Sequence, residues 1–255
     1  MSLTDQEFMR YNRHVMLDKV GEQGQIAFKQ AKVLVVGMGG LGCPVSQYLV
    51  ASGIGHLTIV DHDVVELSNL QRQILYSAND VGQSKALTAM QRLSTLNPLC
   101  NIRAINDSIF DIDFIKLLSD IDVVLDCTDS LKTRTFINEQ CVKTKVALVS
   151  ASAIQGAGQL VSFDFSKSDS PCYQCIFSAM AQPKLNCSTA GVFSPLLGVM
   201  GAMQAAHCLN MLLAESDKSL PDFTRHNRLY LFDAWGNTLN QFSVKKDPEC
   251  SCCGV

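Results

Sequence analysis

Three glycines in "VVGMGGLGC", Gly37, Gly39 and Gly42, take the spacing G-x-G-x-x-G between a short apolar run and a segment of helical length. Glycine there permits a tight turn and lets backbone N–H groups approach a phosphate, which the positive end of a helix favours. Asp61 ends the next apolar run, nineteen residues past Gly42, where an acid commonly holds ribose hydroxyls. An NAD(P) pyrophosphate needs little more, because a helix terminus worth about half a charge handles it largely alone. Residues 62–85 carry chemistry that this does not explain. Arg72 lies in "SNLQRQ", Lys85 opens a helix in "VGQSKAL", and Asp129 follows the fourth apolar run in "LDCTDS". Two cations and a carboxylate for a divalent metal suit a triphosphate. The competing readings are an NAD(P)-dependent oxidoreductase, which has no use for Arg72, Lys85 and Asp129 in one crevice, and a nonenzymatic nucleotide-binding regulator.

The second group of chemically able residues is sulfur. Cys172 and Cys175 in "CYQC", with Cys250 and Cys253 in "CSCC", make two C-x-x-C knuckles. Four thiolates at that spacing suit tetrahedral zinc, and a site with no open position is structural, clamping the end of the chain onto its body. A redox disulfide or unpaired thiols are the alternatives. Cys252 reads as a spectator or a replacement ligand. The 11 cysteines are an odd number, and in a cytosolic chain they point to metal or thiol chemistry more than to a disulfide scaffold. Cys43, Cys100, Cys127, Cys141 and Cys208 fall in predicted helices, strands or their edges and read as small buried hydrophobes. Cys187, in the polar "KLNCSTAGVF", is expected in an exposed loop.

These residues need a frame that brings them together. Short β-branched runs at 32–36, 56–60, 101–105, 122–126 and 145–151 alternate with helical segments at 44–51, 84–97 and 131–144. Strand and helix alternating in this way predict a Rossmann-like, doubly wound α/β fold, its mostly parallel sheet covered on both faces. Ligands gather at the carboxyl ends of such strands, so Gly40, Asp61 and Asp129 are expected to line one crevice. From Gly158 the runs "QLVSFDF" and "RLYLFDAWGNTLNQFSV" alternate and turn through Gly236-Asn237, which predicts antiparallel strands added to the same sheet. The expected organisation is a single unit spanning residues 1–255. It has a helical arm at 1–30, a nucleotide-binding part at 31–157, and a part at 158–255 holding antiparallel strands, an apolar helix and the zinc knuckles. Residues 215–227 read as a mobile loop.

With 47% hydrophobic and 18% charged residues and a net charge of -3, the chain lacks the basic balance that drives binding to nucleic acid. The polar start "MSLTDQEFMRYNRH" has no apolar signal region, which places the protein in the cytoplasm. Residues 192–213 are long and apolar enough to ask about a membrane. Pro195, Gln204, His207 and Asn210 would each need a partner in hydrocarbon, and no Lys or Arg anchors the ends, so a buried helix is expected.

"GMGGLG", "DHDVVELSNLQRQ", "VGQSKA", "VVLDCTDS" and the paired knuckles resemble the adenylating enzymes of the ThiF, MoeB and HesA family, relatives of the ubiquitin-activating enzymes. The resemblance runs from about Phe8 to Cys253. It implies that ATP and Mg2+ are used to adenylate the C-terminal glycine of a ubiquitin-like sulfur carrier, ThiS in thiamine synthesis or MoaD in molybdopterin synthesis. It places Gly40 against the phosphates within the loop of Gly37, Gly39 and Gly42, and Asp61 on the ribose with Asp63 beside it. Ser68, Asn69, Leu70, Gln71 and Arg72 would wrap the triphosphate, Lys85 would be a second cation, and Asp129 would hold Mg2+. Ser130 stands where the family commonly has Asn. Arg13, in "RYNRH", matches an arginine that reaches the nucleotide from the other subunit of a homodimer. The stretch "NCSTAGV" looks more like ThiF than MoeB, which favours ThiS as the carrier; Cys187 is then either a covalent participant in sulfur transfer or an inert loop thiol. With no sulfurtransferase segment after Cys253, a separate sulfurtransferase or cysteine desulfurase is expected to donate sulfur. A carboxylate attacking an α-phosphate is already ionised at neutral pH, so the chemistry needs cations and positioning more than a general base.

Overall fold

Each β-branched run of the first half forms a strand: β1 Lys32–Val36, β2 His56–Val60, β3 Asn101–Ile105, β4 Val123–Asp126 and β5 Ala147–Ile154. The protein was analysed as a computed structural model that describes residues 2–177, 190–216 and 227–254. These five strands are parallel in the order β3-β2-β1-β4-β5. Side chains alternate across the sheet. Val33, Val35, Val123 and Leu125 enter one core, and Leu34, Val36 and Val124 enter another. The first core is closed by α2 (Gly21–Gln30), α3 (Gly42–Ala51) and α4 (Lys85–Leu96), the second by α5 (Phe114–Leu118) and α6 (Leu131–Thr144). Burial on both faces explains why the central runs, β1 and β4, are almost wholly apolar, while β3 at the sheet edge has no buried residue and carries Asn101 and Arg103.

β6 (Ala157–Phe163), β7 (Arg228–Asp233) and β8 (Thr238–Ser243) continue the same sheet, each antiparallel to the strand before it. β5 and β6 join through Gln155 and Gly156, and a Cβ on Gly156 would lie 2.1 Å from the Trp235 indole nitrogen. The β7–β8 connection differs slightly from expectation. It spans residues 234–237, with the Asp233 carboxylate accepting from the N–H groups of Trp235 and Gly236 at 3.1 and 3.2 Å, so an Asp-based turn precedes the Gly236-Asn237 pair.

The N-terminal arm forms α1 (Asp5–Val15) and α2. Thr4 caps α1, exchanging hydrogen bonds with Glu7 in a capping box. A short helix, α7 (Tyr173–Phe177), follows β6 and carries the second cysteine of the first knuckle. The apolar stretch forms α8 (Ser194–Ser216), three residues longer at its C-terminus than the sequence suggests. It thus takes in the first two residues of the expected loop; residues 217–226 of that loop lie outside the described residues. Residues Ser194–Ala214 are long and apolar enough to cross a membrane, yet α8 packs on α2, α3, β5 and β6. A Cβ on Gly201 would sit 2.5 Å from Pro44 Cγ, so the small residue lets α3 and α8 touch. Two of the polar residues that argued against hydrocarbon, Gln204 and His207, have partners. Gln204 Nε2 donates to the carbonyls of Asp126 and Val149 at 3.0 and 2.9 Å, and His207 Nδ1 lies 2.8 Å from Ser162 Oγ.

Burial pulls His207 from 6.5 down to about 4. Between those values the unfolded chain binds a proton that the folded chain refuses, so stability rises with pH across that window. Going from pH 4 to pH 7 should add about 2–3 kcal/mol through this residue. Urea midpoints measured across that range should rise less steeply for His207→Asn; parallel curves for the two proteins would exclude the effect.

Candidate active site

β1 lies between β2 and β4, so the loops leaving those three strands emerge side by side at the carboxyl edge of the sheet, where the chain order reverses. The glycine turn shows why two of its positions admit no side chain. Gly37 has φ +92°, and a Cβ there would meet the Cys127 carbonyl oxygen at 3.0 Å; a Cβ on Gly42 would lie 1.9 Å from the Gly37 carbonyl oxygen. Gly40 is glycine for a further reason. A Cβ there would lie 2.5 Å from Leu197 Cδ1 of α8.

Asp61, at the end of β2, is tied into this turn. Its carboxylate accepts from Met38 N–H at 2.7 Å and from Asp63 N–H at 2.8 Å. Burial raises its pKa, with the nearby Lys85 ammonium acting in the opposite direction. Residues 62–85 then fold back on the turn. The Tyr76 hydroxyl lies 2.9 Å from the Met38 carbonyl and 3.2 Å from the Lys85 carbonyl, so one buried side chain links the glycine turn to the start of α4. Lys85 Nζ is 2.8 Å from Asp63 Oδ2, with its own side chain 8% exposed and that of Asp63 55% exposed. The sequence places Asp61, Asp63 and Lys85 around the glycines, and the structure brings them together.

Ser68, Asn69 and Leu70 form a tight turn opened by Glu66, whose N–H donates to Asn69 Oδ1 at 3.3 Å. Arg72 follows with Nη1 donating to the Ser68 carbonyl at 2.9 Å, while Gln71 is exposed and its carbonyl accepts from Ser194 Oγ at 2.6 Å. Ser194 is the first residue of α8, so this segment is fastened to the apolar helix.

Asp129 is exposed just past β4 and makes no hydrogen bond among the described residues; Ser130 caps α6 through Thr133 N–H at 3.5 Å. Beneath them is a network that sequence reasoning missed. Asp126 is fully buried, 3.2 Å from Arg134 Nη1, and accepts from Ser150 Oγ at 2.8 Å and from Thr128 N–H and Oγ1 at 3.0 and 2.6 Å. Arg134 also donates to the carbonyls of Thr128 and Ala151. A buried ion pair adds little net stability, but one with every partner satisfied holds a loop in one shape. The loop so held is the one that presents Asp129. "LDCTDS" contains Asp126, but no periodic signal pairs it with an arginine eight residues on. Tyr76 was missed for the same reason: a lone tyrosine carries no spacing.

Arg13 is exposed on α1, its Nη1 3.9 Å from Met16 Sδ. Its neighbours fix where it lies. A Cβ on Gly53 would touch the Tyr11 ring at 2.7 Å, and His14 lies 3.2 Å from Gln25, which donates to the Ser52 carbonyl at 2.9 Å. Both contacts are at the C-terminal end of α3, about 15 Å from the glycine turn at its other end. Within one chain Arg13 therefore sits away from the turn.

The four knuckle cysteines converge. Cys172 and Cys250 sulfurs are 3.6 Å apart, Cys172 and Cys175 3.9 Å, and Cys175 and Cys253 3.3 Å, with all four within 4.8 Å of one another. Tetrahedral zinc with bonds of about 2.3 Å calls for sulfurs roughly 3.8 Å apart, so the quartet fits the ion. Asn138 of α6, itself fully buried, anchors the knuckles: its Oδ1 accepts from Tyr173 N–H at 2.9 Å and its Nδ2 donates to Cys252 at 3.3 Å. Cys252 lies outside the quartet but hydrogen-bonds with Cys172. Cys43, Cys100, Cys127, Cys141 and Cys208 are buried, and burial raises the thiol pKa of each, to about 12 for Cys43 and Cys100. Cys187 lies outside the described residues.

The ThiF family pattern matches residues 11–252. The chain belongs to the ThiF family. The molybdopterin-synthase adenylyltransferase of Escherichia coli K12 is 39% identical to it over 252 residues, 99% of this chain and 98% of the relative. The adenylyltransferase and sulfurtransferase MOCS3-1 of Drosophila pseudoobscura pseudoobscura is also 39% identical, across 99% of this chain but 55% of its own length. In fold the chain matches a crystal structure of E. coli MccB with succinimide, with a TM-score of 0.79 at 22% identity over 100% of this chain and 75% of that one. This ThiF family member is an adenylyltransferase, which removes the oxidoreductase and regulator readings. The relatives matched over nearly their full length, from E. coli K12 and Salmonella typhimurium LT2, are molybdopterin-synthase adenylyltransferases, whereas the short "NCSTAGV" stretch favours ThiS.

Proposed function

We propose that this ThiF family adenylyltransferase uses ATP to adenylylate the C-terminal carboxylate of the ubiquitin-like carrier of molybdopterin synthase, the MoaD type, with ThiS the less favoured carrier. The observation that carries the reading is the Tyr76 link, which holds Lys85, Asp63 and Asp61 against the glycine turn. Ribose is held by Asp61 and phosphates by the turn, with Lys85 and Arg72 balancing their charge. Asp129 would hold Mg2+, which would supply further positive charge to the phosphates. The carrier's carboxylate is the nucleophile; it attacks the α-phosphorus, a P–O bond forms, and pyrophosphate leaves with the electrons of the bond that breaks. No side chain has to remove a proton, in agreement with a site rich in charge partners and lacking a nucleophile–base pair.

A second copy of the chain completes the site. The position of Arg13, at the far end of α3 from its own turn, supports delivery of its guanidinium in trans within a homodimer. The four-cysteine cluster holds zinc, and sulfur arrives from a separate sulfurtransferase or cysteine desulfurase.

Exchange of labelled pyrophosphate into ATP tests the whole reading. Exchange is expected with a MoaD-type carrier ending in glycine and to be much weaker with ThiS. Stronger exchange with ThiS would restore thiamine synthesis as the pathway; ATP binding without exchange for either carrier would remove sulfur-carrier activation.

A further inference from the structure

Gln73 follows Arg72 in the segment that folds over the glycine turn, and the reading so far gives it no task. It is 4% exposed. Its main chain is fully engaged, the N–H donating to the Asn69 carbonyl at 2.9 Å and the carbonyl accepting from Tyr76 N–H at 3.1 Å. The side chain is different. Oε1 is buried with no hydrogen-bond partner, one of only two such atoms among the described residues. Nε2 lies 3.6 Å from where a Cβ on Gly39 would be, so the donor end of the amide rests over the middle glycine of the turn.

A buried acceptor left unpaired costs stability, and leucine or methionine would fill a similar volume without that cost. Rules of packing and polar satisfaction are broken mostly where a site needs the residue. The donor end faces the turn that the nucleotide reading assigns to phosphates, and a phosphate oxygen is an acceptor that an amide N–H can meet without adding charge. Arg72 is already directed at the Ser68 carbonyl and Lys85 at Asp63, so a neutral donor with a fixed backbone would supply orientation. We propose that Gln73 is a nucleotide-binding residue whose carboxamide NH2 donates to a phosphate oxygen seated on the Gly39–Gly40 turn. This rests on the ATP reading above.

The opposite signs expected for affinity and stability make a test. Wild type, Gln73→Leu and Gln73→Met are titrated with ATP and Mg2+ by calorimetry, and the ligand-free proteins are melted. Both variants should bind ATP about tenfold more weakly, roughly 1.4 kcal/mol, while melting at or above the wild-type temperature. A residue serving only the fold would do the reverse, lowering the melting temperature and leaving the affinity of folded protein alone. Wild-type affinity in either folded variant overturns the assignment; should the branched leucine crowd the site, the unbranched methionine gives the same readout. If wild type itself fails to bind ATP, the function proposed above falls and takes this assignment with it. If wild type binds and the variants bind equally well, only Gln73 loses its role.

Discussion

Asp129→Ala should reduce carrier-dependent pyrophosphate exchange by at least about 100-fold, the scale seen when one preorganised electrostatic group is removed from a transition state. The melting temperature should stay at the wild-type value, because the Asp129 side chain is exposed and makes no hydrogen bond within the described residues. The shape of its loop is held from below, by Asp126 and Arg134, and the helix that follows is capped by Ser130. Fold and chemistry are therefore separable at this position. Raising Mg2+ should restore little activity, since the lost carboxylate positions the ion as well as attracting it. Exchange at the wild-type rate in a folded Asp129→Ala protein would take Asp129 out of the mechanism.

Zinc removal should have the largest effect on stability. Structural zinc in small domains binds with an apparent 10–16 kcal/mol, and even about a third of that, at roughly 2–4 °C per kcal/mol for a chain of this size, lowers the melting temperature by about 10 °C. The cause is visible in what the quartet joins: Cys172 and Cys175 start and stiffen α7, Cys250 and Cys253 end the chain, and Asn138 ties the assembly to α6. Metal analysis should find one zinc per chain. Cys250→Ser should lose the zinc and show the same drop in melting temperature, with the parallel-sheet core still folding. A chain free of zinc that melts like the untreated protein would remove the metal from the structure.

Much of the frame is legible in the residues because its central strands, β1 and β4, are buried on both faces. β1, β2 and β3 begin and end where the short runs do, because five residues bounded by polar or turn-forming neighbours suit a strand better than a helix. α5 and α7 escape sequence reading because five residues hold too little of a 3.6-residue period to show one. At the site, the groups announced by motif spacing, the glycines with Asp61 and Lys85, come together as expected. The groups that hold the surrounding loops, Tyr76, Arg134 and Asp126, are silent in the sequence: each is a polar residue whose partner is set by tertiary contact. Gln73 stood in full view within "SNLQRQ" and gained meaning only from its unpaired oxygen. The carrier is not legible in the seven residues "NCSTAGV", because recognition of a ubiquitin-like surface is spread over many side chains.

α8 gives the molecule one more property. Ser194 holds the Gln71 carbonyl, Leu197 fills the space that a side chain on Gly40 would occupy, and Gln204 reaches the last residue of β4. A glycine usually credited to the ligand it greets here also has a leucine packed close behind it. The glycine turn and the hydrophobic interior are coupled here: a side chain at 40 would have to push the Leu197 methyl groups aside, so a change in the turn is felt in the packing of its supporting helix.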